Sequence, residues 1–325
     1  MFLPLNDNNS NNHRRKPDVQ MMIERVSIAV VAVSLGFMLL SPSLLSSSFS
    51  TNNNNSNQLA FLPISNANAL GMNPTTAITS QSSASTANCS TPPAPNVDLH
   101  GCNLSNANLS DADLSGANLS HANITNADLD DADLTNANLN EADLSGANLE
   151  EALLTNANLA NANLKNAILD DADLQGALLS NANLDSAKLG FADLTNANLT
   201  NANLDDANLF EADLVGALLI NANLNDANLQ FSDLTKASLT NANLDDANLD
   251  DAKLDDANLT GALLTDVLLT NANLKNADLT HANLSDASLN FANLTNANLT
   301  NANFDDANLE GTSLVDTTHF SFLKK

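Results

Sequence analysis

From Val97 to Asp316 the chain repeats a five-residue pattern: Ala or a small equivalent, a polar residue, Leu, then two residues that are mostly polar. Residues 196–206, NANLTNANLDD, show it in its plainest form. Leu stands at 99, 104, 109 and every fifth position to 314, so 44 repeats follow one another without an insertion or deletion. Ile124 and Phe304 replace Leu, and Val97, Cys102, Ser232, Val267 and Thr312 replace Ala. A helix cannot use this period. At about 100° per residue, five residues carry a leucine through ~500°, and successive leucines spiral around every side. A straight strand fails as well, because side chains alternate between its faces and a step of five puts the next Leu on the opposite one. The pattern is satisfied when each repeat is a three-residue extended piece, Ala in, polar out, Leu in, followed by a two-residue corner. Asn, Asp, Ser, Thr and Gly fill most corner pairs, and these residues tolerate turns.

This A-(D/N)-L-x-x pattern resembles that of the pentapeptide-repeat proteins almost letter for letter over 97–316, about two-thirds of the chain. The resemblance implies an all-β fold, a right-handed quadrilateral parallel β-helix with four repeats per coil, hence about 11 coils for 44 repeats. Stacked at ~4.8 Å, such coils make a rod roughly 53 Å long whose leucine and alanine interior leaves no lumen for substrate or cofactor. A single coil buries too little to fold alone, so neighbours must stabilise one another.

The remaining segments are of another kind. Residues 1–25 are polar, with basic Arg14, Arg15, Lys16 and Arg25, and residues 26–45 form an apolar run broken by serines and Pro42. The run is long enough to cross a bilayer, and the basic residues before it predict that everything downstream is exported, into a periplasm, the extracellular space or a thylakoid lumen. It reads as a cleaved signal or as an anchor that holds the rod on the far side, its only membrane contact. Ser48-Phe49 resembles the signal junction of proteins sent to the plastids of diatom-like algae, and the small-residue site ending at Ala69 resembles a thylakoid-lumen signal; the stretch between them has no Arg or Lys. Residues 46–96 are a low-complexity leader or linker of Ser, Thr, Asn and Pro. Residues 317–325, with Phe320, Phe322 and Leu323, are expected to cap the open end of the core. Cys89 and Cys102, thirteen residues apart, flank the start of the repeats. In an exported chain they form a disulfide; otherwise they are two separate thiols, Cys102 filling an Ala slot.

A net charge of −27 and a pI near 4.1 disfavour direct binding to nucleic acid or to anionic lipid, and favour basic partners or cations. With four repeats per coil, residues twenty apart stack in columns. One column holds Asp206, Asp226, Asp246, Asp266, Asp286 and Asp306, which makes these six the candidate cation ligands. A second holds Thr200, Ile220, Thr240, Thr260, Thr280 and Thr300, a spacing similar to that of ice-binding β-helices. Phe191, Phe231 and Phe291 share a third column that is otherwise largely acidic. Together with Phe210, Val215, Leu218 and Ile220 they are the candidate docking surface. His121 and His281 share a column eight coils apart, roughly 38 Å, and no nucleophile with a base, metal cluster or phosphate loop can be assembled. The sequence therefore points to a non-enzymatic scaffold that needs no cofactor and docks an unidentified protein. The alternative, implied by the resemblance, is a DNA mimic acting on an enzyme such as gyrase. The repeats carry 35 acidic residues and five lysines. Over ~53 Å that is one net charge per ~1.8 Å, close to the ~1.7 Å of duplex DNA.

Overall fold

The computed structural model describes residues 87–318. Within them the middle residue of each three-residue piece forms a parallel bridge with the residue twenty positions on, from Asp98↔Asn118 to Asn298↔Thr318. The register never slips, so one turn takes four repeats and has four faces and four corners. The first to fourth faces begin at 97–99, 102–104, 107–109 and 112–114. Each is followed by the corner of the same number, beginning at 100–101, 105–106, 110–111 and 115–116.

Backbone geometry explains the corner composition. The second corner residue has a positive φ, near 60°, at every corner from Asn96 to Asp316. The following Ala amide donates to the preceding Leu carbonyl, as Ala107 does to Leu104 at 3.0 Å. A positive φ at the second central residue with this bond is a type II turn, which favours Gly and Asn. Seven of these positions are Gly, and Asn and Asp take most of the others.

Every backbone amide of a typical repeat is satisfied. In 197–201, Ala197 donates to Leu194 within the turn, Asn198 donates back one coil to Ala177, and Leu199 and Asn201 donate forward to Leu218 and Ile220. The fifth amide, Thr200, donates to the Asn198 side chain, Oδ1, at 3.1 Å. The middle Asn or Asp thus links two neighbouring coils through its backbone and holds its own corner through its side chain. Asn side chains also join coil to coil: Asn163, Asn183, Asn203, Asn223 and Asn243 each donate Nδ2 to the Oδ1 of the second-face residue one coil before.

Leucines and alanines fill the interior, nearly all of them completely buried. Ser232, in an Ala slot, is buried too, and its hydroxyl donates to the Leu229 carbonyl at 2.7 Å. At the first coil Cys89 is bonded to Cys102, with a Cα–Cα distance of 5.5 Å, and Cys102 lies in the core at the second face. The ordered pattern reaches beyond 97–316 at both ends. Asn96, assigned above to the linker, is already a left-handed corner donating to Ser115, and Thr318, assigned to the cap, still pairs with Asn298. The segments 1–25 and 26–45 and the residues Phe320, Phe322 and Leu323 lie outside the described residues.

Candidate functional site

The twenty-residue turn separates the residues of the predicted docking surface. Phe191, Phe210, Phe231 and Phe291 stand on the third corner, Val215 on the fourth, Leu218 on the first face and Ile220 on the first corner. Phe210 and Ile220 are ten residues apart, half a turn, and so occupy diagonally opposite edges. Proximity in sequence does not survive the coiling, and the seven residues are not one surface.

Three of them do converge. Phe210 lies one coil above Phe191 and one below Phe231, and its ring meets each edge to face, at centroid distances of 5.7 and 5.6 Å. Phe191 and Phe231 remain about half exposed, at 53% and 49%. Beside Phe191, Gly190 lies close to the Asp170 carboxylate, which accepts a hydrogen bond from its amide at 2.8 Å. Phe291 is 62% exposed and lies three coils beyond Phe231, with its ring against Gly311. Beside Phe231 is a shallow depression of about 430 Å³ lined by Glu211, Ala212, Asp213, Phe231, Asp233 and Lys253.

The surroundings of this cluster are anionic. Below it the third corner carries Asp130, Asp131, Glu150, Glu151, Asp170 and Asp171, and above it Asp250 and Asp251; no Lys or Arg occurs on this corner. Burial raises the pKa of Asp130, with help from Asp131, and burial together with Asp170 raises that of Asp171. Repulsion from Asp131 is the main cause of the rise at Glu151. On the adjoining fourth face Asp233 is pushed up by burial, yet hydrogen bonds from Thr235 and Lys253 outweigh this and hold it below the usual range. Lys253 sits 3.0 Å from Asp233.

The other candidates are arranged differently. Asp206, Asp226, Asp246, Asp266, Asp286 and Asp306 rise one per coil on the second corner, and among the described residues no group of three or more His, Cys, Asp or Glu is placed to hold a metal. In the Thr column, Thr260, Thr280 and Thr300 turn their hydroxyls to the middle residue of their own face. His121 pairs with Glu141 at 3.2 Å and His100 with Asp98 at 2.8 Å. Exposed leucines that the sequence reading missed are Leu153, Leu263 and Leu268. Each replaces Asn or Asp in the middle position, and that departure from the pattern was the signal available.

Comparison with known proteins gives a consistent result. The family described as Pentapeptide repeats matches in eight copies that together run from residue 96 to 318. Among solved structures, HetL, a pentapeptide repeat protein involved in heterocyst differentiation regulation from the cyanobacterium Nostoc, is 39% identical over 68% of this chain and 91% of its own, with a TM-score of 0.30. A pentapeptide repeat protein from the thylakoid lumen of Arabidopsis thaliana is 34% identical over 30% of this chain and 66% of its own, with a TM-score of 0.17. QnrB1, a plasmid-mediated fluoroquinolone resistance protein, is 15% identical over 66% of this chain and 90% of its own, with a TM-score of 0.27. A comparison with curated proteins finds no match.

Proposed function

We propose, for a chain that belongs to the pentapeptide-repeat family of right-handed four-sided β-helices, that it is a non-enzymatic rod of eleven coils whose third corner docks a protein partner. The observation that carries this reading is the cluster of Phe191, Phe210 and Phe231, in which the Phe191 and Phe231 rings are exposed. Phe191 and Phe231 adopt a φ of 60°, a conformation that disfavours bulky side chains, on a scaffold that mostly uses Asn, Asp or Gly there. Exposed rings kept at an unfavourable backbone position need a reason outside the fold, and contact with another protein supplies one. A photoreactive phenylalanine analogue at position 231, and another at Ile220 on the opposite edge, tests it in cells of the protein's source. One discrete adduct is expected from position 231 and none from 220; the same adducts from both edges would sink the reading.

The rod acts beyond a membrane in this proposal. The basic residues ahead of the apolar run 26–45 support export, and so does the Cys89–Cys102 bond, since disulfides persist in oxidising compartments. Locating a tagged full-length chain and sequencing its mature N-terminus checks this; a tag found wholly inside the membrane boundary contradicts it. A second reading, mimicry of DNA, is favoured by charge density alone, and a gyrase supercoiling assay unmoved by the purified rod would remove it.

A further inference from the structure

We propose that the third corner recognises a basic, proline-rich segment of its partner in the polyproline II conformation, with a cationic side chain at every third residue. This rests on the third corner being the docking edge, and names what docks there.

The second corner residues of five successive coils read Asp171, Phe191, Glu211, Phe231, Asp251, alternately anionic and aromatic. Like residues are two coils apart, about 9.6 Å. A polyproline II helix has three residues per turn and rises ~3.1 Å per residue, so every third side chain returns to the same side after ~9.3 Å. Across the two steps from Asp171 to Asp251 the mismatch is roughly 0.6 Å. An α-helix presents residues seven apart at ~10.5 Å and drifts out of step about three times faster. An extended strand shows same-side residues every ~6.6 Å and does not fit.

The chemistry follows the spacing. Phe210 closes the gap between Phe191 and Phe231, so the rings form one continuous strip rather than two islands. Prolines between the cationic residues lie against that strip, as polyproline ligands do in aromatic-lined grooves, with little ordering entropy to lose. The cations meet Asp171, Glu211 and Asp251. The third corner itself carries no positive charge, and of the two lysines on the faces beside it, Lys188 and Lys253, Lys253 is paired with Asp233 at 3.0 Å.

The test uses three fluorescently labelled, blocked peptides of equal charge, titrated against the purified full chain by anisotropy: (Arg-Pro-Pro)3, a peptide with its three arginines at alternate positions and the remainder proline, and an alanine-based helical peptide with three arginines seven residues apart. We expect the first to bind about tenfold more tightly than either other peptide. We expect the double variant Phe191→Ser/Phe231→Ser to lose about tenfold in that affinity, and Phe291→Ser to lose none. Circular dichroism confirms that both variants keep the fold. Equal affinity for all three peptides overturns the inference, as does tighter binding of the helical one or indifference to the double variant. Failure here with a discrete cross-link at position 231 leaves the docking edge in place; failure of both removes the edge as well.

Discussion

A single left-handed residue closes each corner, and its identity sets a local free-energy balance. Asn and Gly accept φ near 60° readily, whereas a bulky side chain there costs about 1 kcal/mol. Phe291 has this geometry, is largely exposed and, among the described residues, makes no ring–ring contact of the kind that joins Phe191, Phe210 and Phe231. Phe291→Asn is therefore expected to stabilise the rod by roughly 0.5–1 kcal/mol, read as a higher denaturation midpoint. A lower midpoint contradicts it. The corner amide is a second residue-scale matter. Lys188, Leu263 and Leu268 stand where Asn or Asp normally receives that amide, and in each case an aspartate from the preceding coil substitutes. Asp170 accepts from Gly190 at 2.8 Å, Asp245 from Thr265 at 2.8 Å and Asp250 from Thr270 at 2.7 Å. Asp245→Ala and Asp250→Ala are expected to cost about 1 kcal/mol each, as a partly buried donor loses its acceptor. Asp130→Ala, at an equivalent corner position whose carboxylate is disfavoured by burial and then by Asp131, is expected to be neutral or stabilising in the same urea titration. The need for a middle-position acceptor was legible in the Asn/Asp preference. Its replacement by a residue eighteen positions before the leucine was not, because the pairing exists only after coiling.

At the scale of the coil, what sequence determined and what it left open divide cleanly. A strict period of five with leucines fixes the faces, the corners and the core, and the resemblance supplies four repeats per turn. Columns of like residues followed at once, and the structure keeps them. Grouping Phe210 with Val215, Leu218 and Ile220 failed because near neighbours along the chain are quarter-turn neighbours in space. The convergence of Phe210 with Phe191 and Phe231 was hidden for the converse reason, since those residues are nineteen and twenty-one positions away. The first coil of the described residues is tied covalently to the segment that precedes it. In the double variant Cys89→Ser/Cys102→Ala the Ala slot is filled as elsewhere, and only the tether is lost. Loop entropy puts the loss at about 3 kcal/mol. Because a solenoid is stabilised by nearest neighbours, that loss should appear as faster hydrogen exchange in the first coils and not in the middle of the rod. Uniform acceleration along the whole rod contradicts this.

Across the whole molecule, the carboxylates give stability an unusual dependence on acid. Asp130, Glu151 and Asp171 are held above their ordinary values of 3.8, 4.5 and 3.8, so the folded chain binds more protons than the unfolded one just above those values. Stability is lost as pH rises through these folded pKa values and regained on acidification. Asp98 and Asp185 are lowered, by a hydrogen bond from His100 and from Lys165 respectively, and Asp233 is lowered on balance. Their stabilisation is complete above the unfolded value of 3.8 and lost as pH falls through the folded ones. Thermal melts from pH 7 downward should therefore rise as the pH approaches about 4.5, pass a maximum, and fall below about 3.8. In Asp130→Asn/Glu151→Gln the rise should shrink; a melting temperature that falls monotonically from neutral pH contradicts the assignment.

The invariant twenty-residue turn also makes the surface work like a combination dial. Inserting a complete coil lengthens the rod by ~4.8 Å and leaves every side chain beyond it facing the same compass direction. Inserting one five-residue repeat leaves the core equally well formed but rotates everything beyond it by a quarter turn. Placed between Phe210 and Phe231, a single such repeat would carry Phe231 off the edge it shares with Phe191. A change that keeps the core can thus redirect what the rod displays, at the cost of those side-chain bonds between neighbouring coils that span the insertion.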